Sequence, residues 1–275
     1  MPESVNLTAN QPIGIFDSGI GGLTVARSIK DKLPHEKLIY FGDTAHLPYG
    51  DKSPDSIKYY SIRIAQFLLD NKCKMIVIAC NTASALAFEA VKDFVGKRAL
   101  VVNVIDPVVQ KISKEKKLRS IGVIATKGTI KSGIHASKIK KANSEQTVYG
   151  LATPLLVPMI EEGFFNNKIS RSIIASYLSR PKIKNIDALI LGCTHFPLIK
   201  PEIEEFYNHK IPLIDSADEV AEQVASLLKK NGILNPSKKK PVHQFYVSDF
   251  TDAFEKSTRF FFSEAIRLCE ARIWK

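Results

Sequence analysis

Two cysteines stand out by their surroundings. Cys80 lies in IVIACNTASA and Cys193 in LILGCTHFP. Each ends an apolar run that reads as a buried strand, and polar residues follow: Asn81, Thr82 and Ser84 after the first, Thr194 and His195 after the second. A thiol at the start of a helix lies near free N–H groups and the positive dipole end, which favour thiolate. A lone cysteine usually packs as a small apolar residue, but packing alone has no use for the neighbouring hydroxyls and amide. Gly192 allows close backbone approach, and His195, with an ordinary pKa of ~6.5, could orient or deprotonate a neighbour. Two thiols facing each other across a cleft suit racemisation at a carbon acid without a cofactor. One thiolate removes the α-proton and the opposite thiol delivers a proton to the other face, the roles swapping with the enantiomer. A turnover of ~10 s⁻¹ leaves a barrier of roughly 16 kcal/mol, so fixed donors and excluded water must stabilise the carbanion.

Other residues could support such a site. Asp17, in GIFDSGIGGL, falls at the end of the first apolar run, where it could bond a substrate ammonium, assist a cysteine or simply cap a helix. Gly19, Gly21 and Gly22 are expected to form a loop with free N–H groups for an anionic group; as a nucleotide fingerprint the spacing is weak. Tyr49 and Gly50 in LPYGDKS read by themselves as an ordinary turn. Glu161 and Glu162, taken alone, read as a solvated helix face. Cys73 and Cys269, beside helical segments with apolar neighbours, read as packing residues.

The elements that must position these residues alternate. PIGIF (12–16), LIYFGD (38–43), MIVIA (75–79) and ALVVNVI (99–105) read as strands. Between them lie a helix to about Leu33, a turn-rich loop with a helix over 56–71, and a helix over 84–95. Strands alternating with helices indicate βαβ units and a parallel sheet, and unbroken apolar runs fit strands buried on both faces. The pattern restarts at SIGVIA (120–125), followed by Thr126 and a basic helical segment, a strand at LATPLL (151–156), a helix over 170–178 and the strand DALILG (187–192). Asp17 precedes Cys80 by 80 − 17 = 63 residues, and Thr126 precedes Cys193 by 193 − 126 = 67. The fold class expected is therefore α/β, two similar lobes with mostly parallel sheets flanked by helices. Ligands of such sheets bind at the carboxyl ends of the strands, so the active site lies in the cleft between lobes. The first lobe comprises residues 12–105 plus 218–275 and carries Cys80; the second comprises 106–217 and carries Cys193; residues 1–11 are a polar tail. Two amphipathic helices, over 216–233 and 254–274, flank a short strand at 243–248.

Composition narrows the class. Of 275 residues, 45% are hydrophobic and 24% charged, which excludes a disordered or fibrous chain. Apolar stretches fall far short of the ~20 residues that span a bilayer, and the polar first residues lack the apolar core of a signal peptide. A cytoplasmic protein without membrane contact is expected. Four cysteines are too few for a disulfide framework in a chain of this length; Cys193 and His195 are only half a zinc site, so no metal is expected. The net charge of +11 gathers in KEKK (114–117), KIKK (138–141) and KKK (238–240). Without interleaved aromatics these runs read as solvated faces, with nucleic-acid binding kept as an alternative.

The motifs GIFDSGIGGLTV (14–25), FGDTAHLPYGDKS (41–53), IVIACNTASALA (76–87), LVPMIEEG (156–163) and LILGCTHFPLI (189–199), with FYVSD (245–249), resemble the glutamate racemases of the aspartate/glutamate racemase superfamily. The resemblance runs in the family's order over most of the chain from residue 12. It implies interconversion of L- and D-glutamate without cofactor or metal, supplying D-glutamate for peptidoglycan. It implies Cys80 and Cys193 as the acid/base pair, with Asp17, Glu161 and His195 assisting, and Glu162 as an alternative to Glu161. Asp17, Ser18, Tyr49, Gly50, Asn81, Thr82, Thr126, Thr194 and His195 are the implied substrate contacts, and a homodimer the implied assembly. Aspartate racemase, and a DNA- or partner-binding protein on an inactive racemase fold, are the competing readings.

Overall fold

The longest apolar runs form the centre of the molecule, as expected of strands covered on both faces. In a computed structural model, residues 7–262 and 265–274 are described, so residues 1–6 of the polar tail lie outside them. The chain begins with β1 (Ile13–Asp17), α1 (Leu23–Lys32), β2 (Leu38–Gly42), α2 (Pro54–Asp70) and β3 (Met75–Ile78). It continues through α3 (Asn81–Leu86), α4 (Phe88–Val95), β4 (Leu100–Asn103), α5 (Ile105–Lys114), β5 (Ser120–Ala125), α6 (Lys127–Ser132) and α7 (Ile134–Ala142). Then come β6 (Thr147–Ala152), α8 (Leu156–Glu161), α9 (Lys168–Leu178), α10 (Pro181–Lys184), β7 (Ala188–Gly192), α11 (Lys200–Phe206) and β8 (Leu213–Asp215). The last elements are α12 (Ser216–Lys230), β9 (Gln244–Val247), α13 (Asp252–Phe261) and β10 (Leu268–Glu270).

The fold is α/β, with two parallel sheets flanked by helices. The first has strand order β10-β9-β2-β1-β3-β4, the second β6-β5-β7-β8, and every pairing in both is parallel. Ile13, Ile15 and Phe16 of β1 are fully buried, each contributing roughly 1.5–3 kcal/mol of burial. Helix starts follow local chemistry: Ser53 caps α2, accepting from Ser56 N–H, with Pro54 in the first turn, and Asn167 and Ser170 form a capping box on α9. α12 packs on both α1 and α5. Ser28 donates to Asp218 at 3.1 Å, and Lys32–Glu222 and Lys111–Glu219 pair across the same contacts.

Four expectations need correction. The strand expected at 151–156 is β6, which ends at Ala152. Pro154 has no N–H to donate to a ladder, and Leu156 already begins α8. The helix expected over 84–95 is two helices meeting at Ala87, the first starting at Asn81. The helix expected over 254–274 stops at Phe261, and Leu268–Glu270 instead extends the first sheet beside β9. Cys269 lies in that edge strand and is exposed, whereas Cys73 is buried as expected. Among the described residues, no helix is long and apolar enough to cross a membrane.

Candidate active site

β1 and β3 of the first sheet and β5 and β7 of the second end around one cavity of about 270 Å³. Ser18, Tyr49, Gly50, Cys80, Asn81 and Thr82 line it from the first sheet's side, and Thr126, Glu161, Cys193, Thr194 and His195 from the second's. Asp17 is the exception among the expected residues: it is fully buried and does not line the cavity.

Cys80 is the cap residue of α3. Its sulfur accepts the Ala83 N–H at 3.5 Å and its thiol donates to Ser18 Oγ at 3.7 Å. The expected position at a helix start is therefore present. Burial nevertheless dominates: it pushes the Cys80 thiol up to about 12, with the Asp17 charge adding to it, against the smaller opposing effect of the Ala83 and Ser18 bonds. Asp17 sits behind this wall. Its Oδ2 accepts the N–H groups of Gly19 at 3.2 Å and Gly22 at 2.9 Å, its Oδ1 has no partner among the described residues, and burial raises its pKa although the nearby His195 opposes the shift. Of the glycine N–H groups expected to be free for a ligand, those of Gly19 and Gly22 are thus engaged by Asp17. Tyr40 fixes the same loop by donating to Gly19 O at 2.8 Å.

The opposite wall is arranged differently. Cys193 Sγ lies 3.7 Å from His195 Nδ1, and His195 Nε2 lies 3.0 Å from Glu161 Oε1. Burial works against an imidazolium here, but the Cys193 sulfur and the Glu161 carboxylate overcome it and push the His195 pKa up to about 10. Glu162 is exposed, so Glu161 is the member of the acidic pair that faces the histidine. The two thiols are close enough that charge on Cys193 contributes to raising Cys80.

The walls touch at two groups of residues. Thr82 Oγ1 lies 2.9 Å from Thr126 Oγ1 and 3.3 Å from Thr129 Oγ1, and Thr24 donates to Thr194 O at 3.1 Å. A Cβ on Gly50 would stand 2.8 Å from Thr126 Cβ, and one on Gly21 2.4 Å from His195 Cε1. Asn81 Nδ2 is buried without a partner among the described residues and belongs to a lining residue, leaving a donor for a ligand.

Asp43 was not anticipated as part of this arrangement. It is fully buried and accepts from Tyr49 Oη at 2.7 Å and Ser248 Oγ at 2.7 Å, and lies 2.9 Å from His46 Nδ1. Ser248 belongs to FYVSD, so that segment supports the loop carrying Tyr49. Asp51, Lys127, Pro154 and Val157 also line the cavity unanticipated; the adjacency of Asp51 to Tyr49–Gly50 and of Lys127 to Thr126 was the available signal. Among the described residues, no group of three His, Cys, Asp or Glu is placed to hold a metal ion.

The model of the Asp/Glu/hydantoin racemase family matches residues 23–224. The chain belongs to the Asp/Glu/hydantoin racemase family. Membership makes it an isomerase. Within this racemase family, the glutamate racemase of Geobacter metallireducens is 44% identical over 242 residues, covering 88% of this chain and 89% of the relative. The structure of the Francisella tularensis glutamate racemase in complex with D-glutamate superposes with a TM-score of 0.91 at 40% identity, over 97% of this chain and 99% of that one. The Thermus thermophilus glutamate racemase, in complex with β-chloro-D-alanine, gives 0.84 at 33% identity, over 97% and 99%.

Proposed function

We propose that this racemase interconverts L- and D-glutamate by proton transfer at Cα between Cys80 and Cys193, with no cofactor. The observation that carries the reading is that two thiols, each with its own polar partners, line one cavity from different sheets. The relatives named above act on or bind glutamate by name, which supports the same substrate here.

Protonation supports a division of labour. With Cys80 held as the neutral thiol, this reading makes the Cys193 sulfur, 3.7 Å from His195 Nδ1 on the other wall, the proton acceptor. The acceptor takes the Cα proton, the electron pair remains on the carbanion, and the opposite thiol returns a proton to the other face. Glu161 holds His195 in position, and Asp17 holds the glycine loop and the field behind Cys80. Asn81, Thr82, Thr126 and Thr194, with Ser18 and the Tyr49–Gly50 turn, would bind the carboxylates and ammonium and replace their lost hydration. The sheets serve as two lobes, residues 12–105 with 218–275 and residues 106–217, closing on the substrate. In the cell the reaction would supply D-glutamate for peptidoglycan from the cytoplasm, with the protein working as a homodimer.

The test is the optical activity of L-glutamate over time in D₂O with purified, metal-stripped protein. Decay to zero with deuterium appearing at Cα is expected, and a flat trace from folded, reduced protein would reject glutamate as substrate. Cys80→Ser and Cys193→Ser are each expected to stay folded and lose racemisation; wild-type rates in both would end the two-thiol mechanism.

A further inference from the structure

Among the described residues, Lys127 is the single lysine or arginine lining the cavity. It occupies the first position of α6, a helix with no acidic residue in its first turn. A cation there opposes the helix dipole, so local stability gives no reason for it. Its Nζ reaches across to Asp51 Oδ1 at 3.2 Å, joining the second-sheet wall to the first, with the two side chains 60% and 58% exposed. Beneath this pair the walls meet through buried contacts, Thr82 with Thr126 and Thr129, and through Gly128, where a Cβ would stand 3.1 Å from Gly50 O. The Lys127–Asp51 pair is thus the solvent-facing end of the seam. Ion pairs this exposed contribute little to stability and break readily.

The charges around the cavity give that pair a task. Asp51 and Glu161 both line it, and each repels an entering dicarboxylate. The His195 imidazolium is buried and already faces Glu161. Lys127 is the cation at the solvent-facing edge.

Resting on the glutamate reading above, we infer that Lys127 is the capture and selectivity residue for the substrate's side-chain carboxylate, released from Asp51 as the substrate enters and returned to it as the product leaves. An amino acid without a second carboxylate gains nothing from the exchange, so Lys127 favours acidic substrates. Asp51 acts as the competing partner that keeps capture reversible.

The experiment compares L-glutamate racemisation by wild type, Lys127→Gln, Asp51→Asn and the double variant at about 20 mM and about 300 mM salt, a range over which the Debye length shortens severalfold. Removing a rim charge chiefly alters association and its salt dependence. Lys127→Gln should lower kcat/KM roughly five- to tenfold at low salt, mostly through KM, and flatten the salt dependence. Asp51→Asn, which frees Lys127, should raise kcat/KM at low salt by about two- to threefold, and the double variant should lose that gain. Lys127→Gln with the wild-type kcat/KM and salt response would overturn the inference. So would equal losses in the two single variants, which would make the pair a structural latch. A wild type that leaves glutamate untouched would overturn the substrate reading and this inference together; turnover by wild type with an indistinguishable Lys127→Gln would overturn this inference alone.

Discussion

Gly21 does not line the cavity, yet replacing it with alanine should nearly abolish activity. A Cβ at that position would stand 2.4 Å from His195 Cε1, 2.5 Å from Nδ1 and 2.6 Å from Thr194 Oγ1, against an ordinary contact range of 3.4–4 Å. The overlap is therefore about 1 Å, and both sides resist it. His195 is buried, with Nε2 3.0 Å from Glu161 and its ring 5.3 Å from that of Phe261 in an edge-on contact. Gly21 O accepts from Thr24 N at 3.1 Å, at the start of a helix packed on α12. The ring must yield, and its Nδ1 leaves the Cys193 sulfur it now faces at 3.7 Å. A misplacement of ~1 Å can cost about 10²-fold in rate, while overpacking costs about 1–3 kcal/mol of stability. We expect Gly21→Ala to remain folded by circular dichroism, with kcat for L-glutamate down about 100-fold. Gly19→Ala is the comparison, because its Cβ would meet only the flexible end of Leu47 at 3.0 Å; its loss should stay within about fivefold. A folded Gly21→Ala enzyme with near-wild-type kcat would refute the proposition that His195 must sit where it does.

Three other perturbations test different parts of the molecule. Lys74 is fully buried, and its Nζ donates to Glu36 at 2.7 Å, Ala9 O at 2.6 Å and Ile233 O at 2.9 Å; Lys74→Met, which leaves Glu36 buried without its partner, should cost about 3–5 kcal/mol in urea unfolding, and a loss below about 1 kcal/mol would contradict the pairing. Iodoacetamide near neutral pH should label exposed Cys269 first, with Cys73 and Cys80, both pushed up to about 12 by burial, lagging more than ~100-fold by peptide mass spectrometry; equal labelling of Cys80 and Cys269 would be inconsistent with that burial. His195 binds its proton more tightly folded, at about 10, than its ordinary 6.5, so its stabilisation is complete below pH 6.5 and lost as pH rises through about 10. The urea midpoint of wild type should therefore fall more steeply between pH 7 and 10 than that of His195→Asn, and parallel profiles would remove His195 as the cause.

What the sequence made legible follows from how much of each signal is local. The central strands β1, β2, β3, β5 and β7 are nearly continuous apolar runs buried on both faces; Cys193 directly follows β7, and Cys80 lies two residues beyond the end of β3. Strand β10 was not legible: it has three residues, of which only Leu268 is buried. Strand β6 is mostly half-buried, so its boundaries carried no apolar run to mark them. The choice between Glu161 and Glu162 depended on which way the end of α8 faces His195, 34 residues away. Asp43 meets Ser248, 205 residues away, and Lys127 meets Asp51 on the opposite wall. Such long-range pairings leave no periodic trace in the chain.

The two sulfurs are held unequally: one beside a hydroxyl and an amide with a carboxylate behind it, the other beside an imidazolium. Enantiomers have the same free energy in water, so the specificity constant must be identical in the two directions however lopsided the walls are. On the two-thiol reading, the free protein exists in two tautomeric forms, each committed to one hand of the substrate, and the asymmetry makes one form predominate. Any difference in maximal rate between the directions must then be matched by the same factor in half-saturating concentration. Where proton transfer limits turnover, that factor is the equilibrium between the two liganded complexes, so a pair of progress curves reads the wall asymmetry with the substrate in place.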